Sequence, residues 1–286
     1  MLARAFRGQA DGFYIDVGAM DPVADSVTCH FYALGWHGIN VEPVPRHMAR
    51  LRALRPRDLN LELALGEREE TRTLYDVPGT GLASLAPEGA SAAGAAALHA
   101  VEVTTLARLC AEHAAARTID FLKIDVEGWE RAVIAGGDWQ RFRPRILVVE
   151  ATRPNSPAPA WAEWEPMLLA NAYRMVWFDG LNRFYLRQED AALAVHFATP
   201  PNVFDAFVPW RIEALERDCR ALSAEHARLA ESHLGLIESQ RRLNEAHAVA
   251  LAGLEGQLAA VHASHSWRLT APLRWLARRL RHEREG

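Results

Sequence analysis

FYIDVGAMDPVADSV, residues 13–27, is a short apolar run that stops on Asp16-Val17-Gly18 and breaks at Pro22. An apolar run without alternation, bounded by glycine and proline, reads as a strand buried on both faces of a sheet. Its abrupt end predicts an exit loop at the carboxyl edge of that sheet. In open α/β sheets ligands bind beyond those edges, where strand order reverses, so this loop is the first place to look for a site. Gly18 leaves room for a ligand against the backbone, because a Cβ would occupy the space.

Outward from this stretch the same signal recurs. GINVEP (38–43), LNLELAL (59–65), IDFLKID (119–125), RILVVEA (145–151), YRMVWFD (173–179) and NRFYLR (182–187) are further strand candidates, with helical patterns between most of them. Alternation of this kind predicts right-handed βαβ units and a doubly wound α/β domain over residues 1–205. The last two runs are separated only by a tight glycine-containing link, which predicts a hairpin at the sheet edge. Between Glu67 and Val103 the pattern breaks into turns and the alanine-rich APEGASAAGAAALHA, read as a mobile surface loop.

Composition narrows the class. Half of the 286 residues are hydrophobic and the net charge is -4, a balance that argues against a nucleic-acid partner, since neutralising phosphates calls for a basic surplus. Cys29, Cys110 and Cys219 form no CxxC, so neither a disulfide framework nor a zinc site is indicated and a reducing compartment fits. With no membrane-length apolar run, and no apolar signal core at the N-terminus, the chain reads as cytoplasmic. Lys123 is the only lysine, which a biased coding composition explains.

The regime changes at Ala206. With Ile212 at heptad position a, Leu215, Leu222, Leu229, Leu236 and Leu243 fall at successive d positions, a coiled-coil signal over residues 206–262. His226, His233, Gln240 and His247 occupy the a seam, where polar residues weaken packing while narrowing register. Self-association through this stalk is expected, and histidine protonation near neutrality would loosen it. The alternative is a helix folded back on the first domain. Residues 263–286 carry Trp267, Leu269, Leu273, Trp275, Leu276 and Leu280 interleaved with Arg268, Arg274, Arg278, Arg279 and Arg281. Such a basic amphipathic helix suits peripheral contact with an anionic membrane face, and equally a cap or a docking helix for a partner protein.

Three elements carry chemistry. The loop after the first strand has one glycine rather than GxGxxG, which suits a nucleoside without phosphates. Glu42 ends the second strand 26 residues after Asp16, where an acid meets ribose hydroxyls in nucleotide-binding units. In DFLKIDVEGWE, Lys123 sits mid-strand, so its ammonium must reach a carboxylate or the strand mouth. Asp125, Glu127 and Glu130 follow it, and Glu150 ends the next strand. Glu130, and partly Glu127, reads as a helix N-terminal acid. Asp125 and Glu150 read as functional.

FYIDVGAMDP, GINVEPVP, LALGE, VTTLARLC, IDFLKIDVEGWE and RPRILVVEA, in that order across about residues 11–205, resemble the FkbM family of S-adenosylmethionine-dependent methyltransferases. The resemblance implies a Rossmann-like class I methyltransferase fold: a mostly parallel seven-stranded sheet with an antiparallel edge hairpin, followed here by a C-terminal helical coiled-coil extension. It implies S-adenosyl-L-methionine as cofactor, with Asp16, Gly18 and Ala19 at its methionine end, Glu42 at the ribose, and the Ala64-Leu65-Gly66 turn near the adenine. Asp125 and Glu127 would face the methyl-transfer centre, either serving as base, with Lys123 orienting Asp125 or holding an oxyanion. Asp125, Glu127 or Glu150 could hold a divalent metal, although no spacing demands one. Met20 stands where the family usually has asparagine, and Pro22 where it often has glycine. The expected acceptor is a sugar hydroxyl of a cell-envelope polysaccharide at the inner face of the membrane, with Trp161, Trp164, Trp177 and Phe178 as candidate stacking surfaces. A non-catalytic scaffold with a coiled-coil spacer, or a small-molecule O-methyltransferase of secondary metabolism, are the alternatives.

Overall fold

The computed structural model describes residues 1–77, 83–85, 97–205 and 208–282. They fall into two units, Met1–Trp210 and Arg211–Gly286. In chain order the strands of the first unit are β1 (Phe13–Val17), β2 (His37–Val41), β3 (Leu59–Leu61), β4 (Ala64–Gly66), β5 (Glu70–Asp76), β6 (Ala83–Ser84), β7 (Ala97–Thr105), β8 (Phe121–Ile124), β9 (Ile146–Glu150), β10 (Tyr173–Phe178) and β11 (Asn182–Arg187). Its helices are α1 (Leu2–Ala5), α2 (Cys29–Ala33), α3 (Pro45–Leu54), α4 (Leu106–His113), α5 (Glu130–Ala135) and α6 (Glu165–Ala170).

Seven strands make one sheet in the order β10-β11-β9-β8-β1-β2-β3. β1 pairs in parallel with β2 and β8, β2 with β3, and β8 with β9, while β11 runs against β9 and β10. The chain therefore winds outward from β1 to β3, returns, and leaves β8 on the other side of β1. That reversal places the exits of β1 and β8 side by side, where a crevice opens in sheets of this kind.

The near-continuous apolar strands follow from burial on both faces. On one face Ile15, Val17, Ile39, Val41, Leu122, Ile124, Leu147 and Val149 pack with Leu106, Leu109 and Val133 from the helices. On the other, Tyr14, Phe121, Ile146, Val148 and Phe184 pack with Phe6, Phe31 and Trp36. Two helix starts are legible locally: Pro45 opens α3, where its missing N–H costs nothing, and the Thr105 side chain caps α4 by accepting from Arg108 N at 3.1 Å.

Two expectations need correcting. LNLELAL is two strands: β3 closes the edge of the main sheet, and β4 departs to a second one. The stretch read as a mobile loop supplies strands, for β5 and β7 pair antiparallel from Glu70↔Val103 to Asp76↔Ala97. With β4 and β6 they form a four-stranded sheet, β4-β7-β5-β6, over its own core of Val44, Ala64, Leu74, Leu85, Val101 and Val103. Most of the alanine-rich segment lies outside the described residues.

A buried polar hub fastens β1, β2 and β3. Asp58, 7 % exposed, accepts from Tyr14 Oη at 2.7 Å, Gly38 N at 2.8 Å and Asn40 Nδ2 at 3.0 Å, with the Arg55 guanidinium 3.8 Å away. Burial first, and then the Asp58 charge and hydrogen bond, raise the Tyr14 hydroxyl pKa far above its usual value.

In the second unit, α7 (Trp210–Ala263) is a single helix of 54 residues, about 80 Å long at 1.5 Å per residue. Its heptad leucines are exposed, from 51 % at Leu243 to 70 % at Leu222. Ser264 then caps α8 (His265–Leu269) by accepting from Trp267 N at 3.2 Å, and α9 (Ala271–His282) follows with Pro272 in its first turn. Among the described residues no helix is long and apolar enough to cross a membrane.

Replacing Asp58 by alanine strands the Arg55 charge and three donors in the core, a loss of about 3–5 kcal/mol. Urea unfolding of the full chain should show it as a lowered midpoint with unchanged slope, and an unmoved midpoint would contradict the hub.

Candidate active site

The loops leaving β1 and β8 meet over Lys123. This lysine, 6 % exposed, is the register partner of Asp16 across the β1/β8 pair. Its Nζ lies 3.2 Å from Asp16 Oδ1 and 3.4 Å from Asp125 Oδ2, and donates to the Gly18 carbonyl at 3.0 Å. Burial alone would lower its pKa, yet the two carboxylates outweigh that and hold it above the usual lysine value. Lys123 is thus a cationic rivet between two loops.

Asp16 spends its charge on this rivet. It is 1 % exposed, accepts from Thr28 Oγ1 at 2.9 Å, and stands behind the crevice rather than in its wall. Gly18 lines the cavity and is required for a further reason. At φ 79°, a Cβ on it would lie 1.8 Å from the Asp125 carbonyl oxygen, so what approaches the backbone is the neighbouring loop.

A cavity of about 880 Å³, counting its open mouth, lies beyond these strand ends. Gly18, Ala19, Met20, Glu42, Ala64, Leu65, Lys123, Asp125 and Glu127 line it, together with Leu74, Leu85 and Trp129 from the second sheet and α5 entry. Ala64 and Leu65 are there as β4 strand residues, not as a turn. Glu42, 4 % exposed, accepts from Met20 N at 2.9 Å through Oε2 and from Val44 N at 2.8 Å through Oε1. Each oxygen thereby keeps an acceptor position for a ligand hydroxyl. Met20 makes its bond at φ 46°, a left-handed conformation that asparagine tolerates better than methionine.

The acidic end of the cavity is built on a tight turn after β8. Glu127 and Gly128 both have positive φ, 53° and 92°. Glu130 ties the turn by accepting from Val126 N and Gly128 N, each at 3.1 Å, and Ser84 Oγ donates to the Glu127 carbonyl at 2.7 Å. Burial, then the Asp125 and Glu130 charges, push the Glu127 carboxyl up to about 7. Glu130 is raised to about 7 by burial against the bonds it accepts. Glu150 is displaced furthest above the carboxylate range, by burial and then by Asp125, Glu127 and Glu130. At the end of β9 it converges with the other two acids: one oxygen from each of Asp125, Glu127 and Glu150 lies within 4.8 Å of the others.

A second, more open cavity of about 800 Å³, again counting its mouth, adjoins, lined by Glu127, Glu150, Thr152, Arg153, Asn155, Ser156, Pro157, Gly180 and Leu181. Glu127 borders both. No motif marks this polar loop in advance. The expected aromatic stacking surfaces are not in its wall. Trp164 is 1 % exposed in the core, the Arg183 guanidinium sits 3.6 Å over the Trp161 ring, Trp177 packs on the second core face, and Phe178 meets Trp161 edge-on at 5.5 Å.

Met20→Asn should stabilise the fold by up to about 1 kcal/mol by easing the left-handed backbone, read as a raised thermal midpoint. Gly18→Ala should do the reverse by about 1–3 kcal/mol or more, because the Asp125 loop must move.

The family described as Methyltransferase FkbM domain matches residues 16–175. No curated protein matches the chain. The matched span runs from Asp16 in β1 into β10 and takes in the rivet, the acidic turn and both cavities' principal walls, and on that span the chain belongs to the FkbM methyltransferase family.

Proposed function

We propose that the chain is an S-adenosyl-L-methionine-dependent O-methyltransferase with a Rossmann-like domain, acting on a hydroxyl of a sugar in a cell-envelope polysaccharide or its precursor. The observation that carries this reading is the meeting, at one carboxylate, Glu127, of a polar cavity and a cavity walled by Glu42 and apolar side chains.

The residues fit the cofactor. Glu42 has an acceptor position left on each oxygen for a ribose diol, and an aromatic base has Ala64, Leu65, Leu74, Leu85 and Trp129 as its wall. The Trp129 Nε1 is buried without a hydrogen-bond partner among the described residues, a donor suited to a ring nitrogen. Asp125 and Glu127 give the rim the negative charge that a sulfonium requires. When bound, the cofactor supplies a methyl group already activated as an electrophile.

The protein's task is then positioning and proton removal. Lys123 holds Asp125, and Asp16 holds Lys123, so Asp16 acts as a positioning residue. Glu127 or Asp125 takes the acceptor hydroxyl's proton on a carboxylate oxygen. Thr152, Asn155 and Ser156 offer hydrogen bonds to a polyol, and Arg153 suits an anionic substituent, so the sugar is read by hydrogen bonds rather than by ring stacking. α7 serves as a self-associating stalk and the basic C-terminal segment as an anchor at the inner membrane face.

Calorimetry should show S-adenosylhomocysteine binding with micromolar affinity; no binding would favour a non-catalytic scaffold. Glu127→Gln and Asp125→Asn should each lower turnover by about 10²–10⁴-fold with the circular dichroism spectrum unchanged, and near-normal turnover in both would remove them as bases. Sedimentation should report an oligomer that the triple change Leu222→Glu, Leu229→Glu, Leu236→Glu converts to a monomer.

A further inference from the structure

The acidic turn holds more negative charge than its surroundings answer. Asp16, Asp125, Glu127 and Glu150 crowd the exits of β1, β8 and β9, and the ammonium among them, Lys123, is already shared between Asp16 and Asp125. Glu150 is 7 % exposed, and its Oε2 is buried with no hydrogen-bond partner among the described residues. A buried carboxylate oxygen normally finds a donor or a metal. Here the neighbours within reach are two further carboxylates.

We propose that Asp125, Glu127 and Glu150 form a binding site for one divalent cation of the hard, oxygen-seeking class, such as Mg²⁺ or Mn²⁺, at the junction of the two cavities. Three converging carboxylate oxygens within 4.8 Å of one another suit such an ion, and the absence of histidine or cysteine from the set argues against a softer metal. The main chain under the site is preformed. The Glu127 backbone is fixed by the bonds that Glu130 and Ser84 make around it, and Glu150 is fixed by strand pairing with Asn182.

Three protein ligands leave the ion's remaining positions open. Those positions face the polar cavity, because Glu127 and Glu150 line it. The ion's role, though not its binding, rests on the O-methyltransferase reading: it would hold two neighbouring hydroxyls of the acceptor, which deepens the substrate class to a vicinal diol. Each ligand lends one oxygen, so Glu127 keeps its second to accept the hydroxyl's proton.

Full-length protein stripped by chelation and titrated with Mn²⁺, with free Mn²⁺ followed by electron paramagnetic resonance, tests this directly. One Mn²⁺ per chain should bind with a dissociation constant of about 10⁻⁵–10⁻³ M and be displaced by Mg²⁺. Glu150→Gln should weaken binding by about tenfold or more by removing one ligand charge, whereas Glu112→Gln, on the surface of α4, should leave it unchanged. Calorimetry with S-adenosylhomocysteine shows whether Glu150→Gln is folded, since Glu150 does not line that cavity. No Mn²⁺ binding by the wild type at about 1 mM, the weak end for oxygen-ligand sites, would overturn the proposal, as would a Glu150→Gln variant that binds like wild type. Mn²⁺ binding without S-adenosylhomocysteine binding would keep the metal site and sink the methyltransferase activity; the converse would do the opposite.

Discussion

One ammonium buried among carboxylates sets the geometry of this crevice. Lys123 rises from the middle of an apolar strand into a region that would otherwise repel itself, and it joins the β1 and β8 exits by pairing with Asp16 and Asp125 and bonding the Gly18 carbonyl. Because the charge is nearly water-free, neither carboxylate can be removed cheaply: loss of one partner leaves a buried ion short of compensation. The same bond network draws the two loops so close that only glycine fits at position 18. The cavity floor is therefore a consequence of electrostatics before it is a matter of shape.

The second sheet completes what the main sheet begins. β4 leaves the line of β3 and turns its Ala64 and Leu65 toward the cavity, while β5 contributes Leu74 and the short β6 brings Ser84 to the Glu127 carbonyl. One wall is thus apolar and made by a small independent core, and the other is acidic and made by strand ends. Arg72 over the Trp129 ring, at 4.5 Å, links that core to the start of α5. The boundary between the walls falls at Glu127.

Much of the main sheet was legible because its strands are buried on both faces and so read as unbroken apolar runs. Glu42, Asp125 and Glu150 were legible for a related reason: an acid closing such a run has no place inside the sheet. The second sheet was not, since β5 and β7 alternate exposed and buried residues and flank an alanine-rich stretch of loop-like composition. The pairing of Asp16 with Lys123 was not legible, because sequence shows position along a strand but not which neighbour takes up the charge. The hub at Asp58 also escaped, its members being scattered from Tyr14 to Asp58 and brought together across the strands. The tryptophans could be placed in either core or cleft by pattern alone, and packing decided it.

The left-handed backbone at Glu127 has a consequence of its own. A carboxylate aimed by an ordinary rotamer choice can swing away when its neighbours repel it. Here the main chain that carries the group is held, since its carbonyl is clamped and the following glycine continues the turn in the same hand. Folding has therefore already met the backbone share of the cost of assembling that corner, before any cation or hydroxyl arrives.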